Sequence, residues 1–255
     1  MIVLLGSQGQ STKIIYHALK KEFSDLPVIL EAKESRINII KRRISRLGFI
    51  TVFGEVLFMA IVLPFLRWNG GNKRIEEIKK EYALDDSAIN SDQLIKVSSV
   101  NSDEARQALQ ELNPQLVIVS GTHIIGKNTL ACVEANFINI HTGITPAFRG
   151  LHGAYWALVE GRADLVGTTV HFVDKGIDTG NIIAQATFKV SKKDSFVTHS
   201  YLHVAVAIPI LINAIRGILT NSLEAQSISS NAASKLWSHP TLWGYIGRWF
   251  LKGVK

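Results

Sequence analysis

Three short groups of residues in one part of the chain carry the side chains needed to stabilise an oxyanion and move a proton. Asn139 and His141 stand two apart at the end of an apolar run. A Pro- and Gly-rich stretch, Thr142 to Gly150, follows them. A second apolar run then ends in Asp174-Lys175-Gly176-Ile177-Asp178-Thr179-Gly180. In a strand, side chains two apart share a face, so Asn139 and His141 point into one pocket. An amide donor, an imidazole and a carboxylate gathered there suit chemistry at a carbonyl. Singly, each has a plainer reading: Asn139 caps a loop, His141 satisfies a core hydrogen bond, Asp178 closes an Asp-Thr-Gly turn.

The flanking sequence predicts the elements that position these groups. Leu4 to Lys13 reads as strand, Gly-rich turn and helix, the helix running to about Glu22. Free amides at that helix start, around Gly9, Gln10 and Ser11, form an anion site, or the turn is purely structural. Pro27–Leu30, Leu94–Val97 and Leu116–Ser120 read as further strands and 102–111 as a surface helix. Strands alternating with helices predict an α/β fold with a doubly wound, mainly parallel sheet, whose site lies beyond the strand carboxyl ends. Gly121, the Asn139/His141 pair and Asp178 all fall after strands.

Composition narrows the classes. With 255 residues, 47% of them hydrophobic, the chain can bury a substantial core. Cys132 is the single cysteine, so no internal disulfide is expected and a cytoplasmic setting is the default. Met1 leads directly into Ile2-Val3-Leu4-Leu5, unlike a signal peptide. His199 and His203 have the i, i+4 spacing of metal ligands but no third ligand nearby, so packing is expected and no metal is predicted.

The net charge of +7 is unevenly placed. Residues 36–46 are rich in Lys and Arg and hold no acid. Residues 235–255 mix Lys235, Arg248, Lys252 and Lys255 with Trp237, Trp243, Tyr245, Trp249 and Phe250. Such mixtures suit an anionic partner, either a nucleotide, a nucleic acid or a lipid surface; the plain alternative is a solvated face and a tail docked by its aromatics. The run 47–66 carries one charge, Glu55, and is long enough to cross a membrane. A single span would put strands 2–5 and 137–140, members of one sheet, on opposite sides of the bilayer. Burial against the domain or a second subunit, or an interfacial position, is expected instead.

The motifs Asn139-Ile140-His141, Pro146-Ala147-Phe148-Arg149-Gly150 and Asp174-Lys175-Gly176-Ile177-Asp178-Thr179-Gly180, in this order and spacing, resemble the 10-formyltetrahydrofolate-dependent formyltransferases. That group includes methionyl-tRNA formyltransferase, glycinamide ribonucleotide transformylase and the sugar-nucleotide N-formyltransferases. The resemblance is strong over 110–190, weaker over 1–30, and lost over 33–90 and at the C-terminal end. It implies a Rossmann-like formyltransferase fold over 1–220 with a helical insertion at about 33–90, then a helical, aromatic and basic tail, 221–255.

By the same resemblance, 10-formyltetrahydrofolate is the co-substrate and Asn139, His141 and Asp178 are catalytic. Asn139 and a cationic His141 face the oxyanion, while Asp178 holds His141 charged and relays a proton to the folate nitrogen. Folate lies along Gly121, Thr122, His123, Ile124 and Ile125, with Asp174, Gly176 and Ile177 in the opposite wall. His123 stands where relatives often carry Arg or Lys, or else faces solvent. Gly9, Gln10 and Ser11 would bind acceptor phosphate, and Arg149 at the pocket mouth would meet the folate glutamate or the acceptor.

The acceptor implied is a small nucleotide-linked or phosphorylated amine, first an amino sugar, and not a nucleic acid. The tRNA enzyme carries a C-terminal barrel not read here, and glycinamide ribonucleotide transformylase lacks the insertion and Trp-rich tail. Formyltetrahydrofolate hydrolysis and non-catalytic folate or nucleotide binding are the rival readings. Peripheral membrane contact and a homodimer are further expectations.

Overall fold

Aliphatic runs with no polar face become the central strands of a seven-stranded sheet. In the computed structural model, residues 1–223 and 233–255 are described. In chain order the elements begin β1 (Ile2–Ser7), α1 (Gln10–Glu22) and β2 (Val28–Glu31). The helical insertion follows: α2 (Arg36–Leu47), α3 (Phe49–Leu57), α4 (Leu63–Leu66) and α5 (Asn72–Glu81). Then come β3 (Leu94–Val97), α6 (Asp103–Leu112), β4 (Leu116–Ser120), α7 (Lys127–Leu130), β5 (Asn136–His141), β6 (Arg149–Gly150) and α8 (Gly153–Val159). The chain continues with β7 (Gly167–Phe172), β8 (Ile182–Thr187), α9 (Phe196–Leu219), β9 (Leu236–Trp237) and α10 (Leu242–Lys252).

The sheet runs β3-β2-β1-β4-β5-β7-β8. Its first five strands are parallel, and β7 and β8 join antiparallel. Strand order reverses direction between β1 and β4, so a crevice opens beyond their carboxyl ends. Both faces are covered, as a buried parallel sheet requires. Residues of α1, α8 and α9 pack with the insertion on one face, and those of α6 on the other.

The insertion is one helical run, Phe49–Glu81, joined through π-turns at Phe58–Val62 and Arg67–Gly71 and bent at Asn69 and Gly70. Val52, Phe58, Val62 and Leu66 form its buried stripe. Glu55, the one acid in its apolar 47–66 part, is buried and receives Arg43 Nε at 3.0 Å and Nη2 at 2.8 Å, which folds α2 back along α3 about Gly48. The opposite face, with Phe49, Ile50, Phe53, Ile61 and Phe65, is exposed. The run is therefore only half buried by its own chain. Phe196–Leu219 is likewise long and apolar enough to cross a membrane, but it is packed against β7 and β8.

The C-terminal tail packs onto the domain through its described residues, 233–255, while its 224–232 portion lies outside them. Strand β9 pairs parallel with β6, matching Arg149 with Leu236 and Gly150 with Trp237. Tyr245 of α10 is fully buried, 5.0 Å from the Phe58 ring and 5.7 Å from the Tyr155 ring.

His199 and His203 pack in the interior beside His152, with His203 Nδ1 2.9 Å from Thr168 Oγ1. Nearby, His152 Nε2 lies 2.8 Å from His239 Nδ1. Burial depresses all four imidazoles: His152 to about 3, His199 and His239 to about 4, and His203 well below its usual value. They are neutral in the folded chain and titrate near 6.5 once unfolded. Below that pH the unfolded chain binds protons that the native chain refuses, so stability falls with acidity by roughly 1.4 kcal/mol per pH unit per proton. Urea unfolding should show this loss between about pH 6.5 and pH 4.5. The variant His199→Gln should show a shallower slope, and equal slopes would exclude His199 as a contributor.

Candidate active site

The antiparallel join of β5 to β7 sets the site. Its register places Asn139 opposite His171, and Asn139 Nδ2 lies 3.2 Å from His171 Nε2. Asp178 reaches the same place from the loop after β7, at φ +53°, a left-handed conformation that Asp tolerates. Its Oδ2 accepts the Gly150 N–H at 2.9 Å and lies 3.3 Å from His141 Nδ1, while Oδ1 lies 3.6 Å from His171 Nε2. The sequence-predicted Asn139, His141 and Asp178 thus converge. His171 joins them, although sequence reasoning passed it over. Its only signal was a place in the strand that precedes the Asp178 loop.

Hydrogen-bond partners assign the protons. The Phe172 carbonyl can only accept, so His171 carries its hydrogen on Nδ1, 2.7 Å away. Its Nε2 then accepts from Asn139, which fixes the amide flip and leaves the second Asn139 N–H free. His141 Nε2 donates to the Phe148 carbonyl at 2.7 Å. Burial pulls the His141 pKa below the ordinary histidine range, and the Asp178 charge and Phe148 carbonyl oppose this only in part. The 3.3 Å gap to Asp178 is also long for a charge-assisted bond. The expectation of a cationic His141 facing the substrate oxygen is therefore corrected. In the free site the ring is neutral, and its N–H is committed to Phe148. For Asp178, burial raises the pKa, but its polar neighbours, the Gly150 N–H among them, outweigh it, so the carboxyl sits below its usual range and is ionised.

These groups lie in a cavity of about 620 Å³. Gly121, Thr122, His123, Ile124 and Ile125 line one side, with Asp174, Gly176 and Ile177 on another. Asp174 Oδ1 accepts the Gly176 N–H at 3.0 Å and the Thr179 hydroxyl at 2.7 Å, so it shapes its loop. A Cβ on Gly176 would strike Thr179. The 142–150 loop is clamped by the tail. Trp237 stacks on Trp156 at 4.5 Å and donates its indole N–H to the Ala147 carbonyl at 3.3 Å. Gly150 has φ +89°, and a Cβ there would collide with the Trp237 carbonyl.

His123 lies between two carboxylates, Nδ1 2.8 Å from Glu31 and Nε2 3.0 Å from Glu34, instead of projecting free. Arg42 bonds Glu34 through both Nη atoms at 2.8 and 2.9 Å. Two placements depart from expectation. Arg149 does not line the cavity; its Nη1 donates to the Ile177 carbonyl at 3.1 Å and ties the two site loops together. Of Gly9, Gln10 and Ser11, only Ser11 reaches the cavity, because Gln10 is drawn aside to Asp86 at 2.6 Å. Arg42, Arg43 and Arg46 of α2, in the basic run expected to meet an anionic partner, form a cationic wall of the cavity.

Residues 71–207 match the family model for formyl transferase, and the chain belongs to that family. The match begins inside the insertion, earlier than the motifs alone indicate. Among curated relatives, methionyl-tRNA formyltransferase of Thermodesulfovibrio yellowstonii is 28% identical over 182 residues, covering 69% of this chain and 57% of that protein. The chain thus spans little more than half of that relative. Among solved structures, an N-formyltransferase from Helicobacter canadensis in complex with folinic acid and dTDP-3-aminofucose superposes with a TM-score of 0.55 at 16% identity, covering 93% of this chain and 71% of that one. Phosphoribosylglycinamide formyltransferase of Anaplasma phagocytophilum gives 0.55 at 18%, covering 91% and 94%. These likenesses establish the fold.

Glu31 is the buried strut of the 121–125 loop. It is 2% exposed and accepts the Val100 N–H, the His123 N–H and the Ser99 hydroxyl. Glu31→Ala should cost about 2–4 kcal/mol, because it strands buried backbone donors. Glu31→Gln, which keeps acceptor atoms, should cost less. Urea unfolding of the two variants checks the order.

Proposed function

We propose that this chain transfers the formyl group of 10-formyltetrahydrofolate to the primary amine of a nucleotide-linked amino sugar. The observation that carries the reading is the convergence of Asn139, His171, His141 and Asp178 on one wall of a large cavity. The amine lone pair attacks the formyl carbon and the carbonyl electrons move onto oxygen. The free Asn139 N–H donates to that oxyanion, and His171 fixes the amide in the orientation required. Collapse expels the folate nitrogen. The amine loses one proton and the folate nitrogen gains one, so an ionised Asp178 serves as shuttle, directly or through water. His141 acts by holding the Phe148 carbonyl, and with it the 142–150 loop, in place. Folate is assigned to the 121–125 and 174–180 loops.

The α2 wall supports the acceptor class. Arg42 and Arg43 are engaged by Glu34 and Glu55, whereas Arg46 has no ion-pair partner among the described residues and lines the cavity. A guanidinium at that place suits a diphosphate. The Helicobacter structure, with a nucleotide-linked amino sugar, supports the same class.

The test is a panel of amine acceptors incubated with 10-formyltetrahydrofolate, following folate release spectroscopically. Formylated nucleotide amino sugar is expected. Release without acceptor would indicate hydrolysis, and transfer to glycinamide ribonucleotide or methionyl-tRNA would replace the acceptor assignment. Asn139→Ala should lower kcat about a hundredfold or more, the scale of losing one oxyanion donor. Asp178→Asn keeps an acceptor for Gly150, yet should lose turnover comparably and abolish the acid limb of the rate profile. Arg46→Glu should raise the acceptor KM about tenfold or more with kcat little changed; an unaltered KM would remove Arg46 from the acceptor site.

A further inference from the structure

We infer that the outer face of α3, α4 and α10 is a docking surface for an anionic phospholipid bilayer. This inference goes beyond the formyl-transfer reading and does not rest on it. The face is continuous. Phe49 stacks on Phe53 at 5.9 Å, Phe65 lies 6.3 Å from Trp68 and 6.4 Å from Trp249, and Trp249 stacks on Phe250 at 6.3 Å. Trp243 of α10 packs over Gly54 of α3, which closes the seam between the two helices. Yet the tips stand in solvent: Ile50 is 74% exposed, Trp68 81%, Phe250 83% and Leu251 87%. Contiguous apolar area of this kind marks an interaction site, and tryptophan with phenylalanine suits the membrane–water boundary.

Charge selects the occupant. Between residues 36 and 71 the one acid is Glu55, buried against Arg43, and 235–255 contains none. Arg36 and Lys41 of α2, Arg67 just after α4 and Lys255 just after α10 are exposed and make no ion pair among the described residues. Two copies meeting face to face would set these cations against one another with no acid to answer them. An anionic headgroup layer answers them all while accepting the aromatic tips. Helix α2 also lends Ile39, Arg46 and Leu47 to the cavity wall, so docking would set the cavity beside the headgroups.

The test sediments the full chain with phosphatidylcholine vesicles, with and without phosphatidylglycerol. Binding to the anionic vesicles is expected, weakened at least about tenfold without phosphatidylglycerol. The triple variant Trp68→Ser/Phe250→Ser/Leu251→Ser should bind at least about tenfold more weakly. Arg36→Glu/Lys41→Glu should weaken anionic binding about fivefold per cation. Acyl-brominated phosphatidylcholine mixed with phosphatidylglycerol should quench wild-type tryptophan fluorescence, a readout that needs no variant to fold. The proposal is overturned if the wild-type chain stays in the supernatant with anionic vesicles. It is equally overturned if a folded triple variant binds undiminished, or if the wild-type chain is a dimer that this variant splits while vesicles take up neither.

Discussion

One carboxylate holds the site together. Asp178 is mostly buried, and an isolated buried charge is costly. The Gly150 N–H from the 142–150 loop donates to it, and His141 at the end of β5 and His171 in β7 stand beside it, so three separate segments meet there. Each segment is thereby drawn toward a common point, and the left-handed turn at Asp178 is the backbone conformation that lets the carboxylate reach it. Asn139 gains its orientation second-hand, since the imidazole that fixes its amide also faces this carboxylate. Positioning and electrostatics are therefore one arrangement.

The insertion is wired into this arrangement as well. A line of polar contacts runs from Arg42 on α2 through Glu34 and His123 to Glu31. Its outer links are partly exposed, and pairs of that kind are individually weak. The inner end is different: Glu31 is buried and satisfies main-chain donors of two loops at once. The insertion thus rests on the 121–125 loop as well as on the α-helical layer.

Much of the architecture was legible because central parallel strands leave no polar face. The run Leu116–Ser120 could be bounded to the residue, and the spacing of Asn139, His141 and Asp178 implied one pocket. What stayed hidden depends on partners distant in sequence. His171 acquires its role from an antiparallel register that no local pattern encodes. Arg149 turned inward to a carbonyl, and Gln10 turned aside to Asp86, because each partner lies on a different loop. The charge of His141 was misjudged because an adjacent carboxylate is visible in sequence and the depth of burial is not. Strand β9 has two residues, too few to carry any alternation.

That short strand has a consequence for the order in which the molecule is made. The 142–150 loop receives its second edge from Leu236 and Trp237. A chain synthesised from its amino end can lay down every sheet strand while this wall of the cavity still lacks its covering tryptophan. The central sheet can therefore be complete in sequence while this wall of the cavity is still open, and it closes only once residues 236–237 have left the ribosomal tunnel.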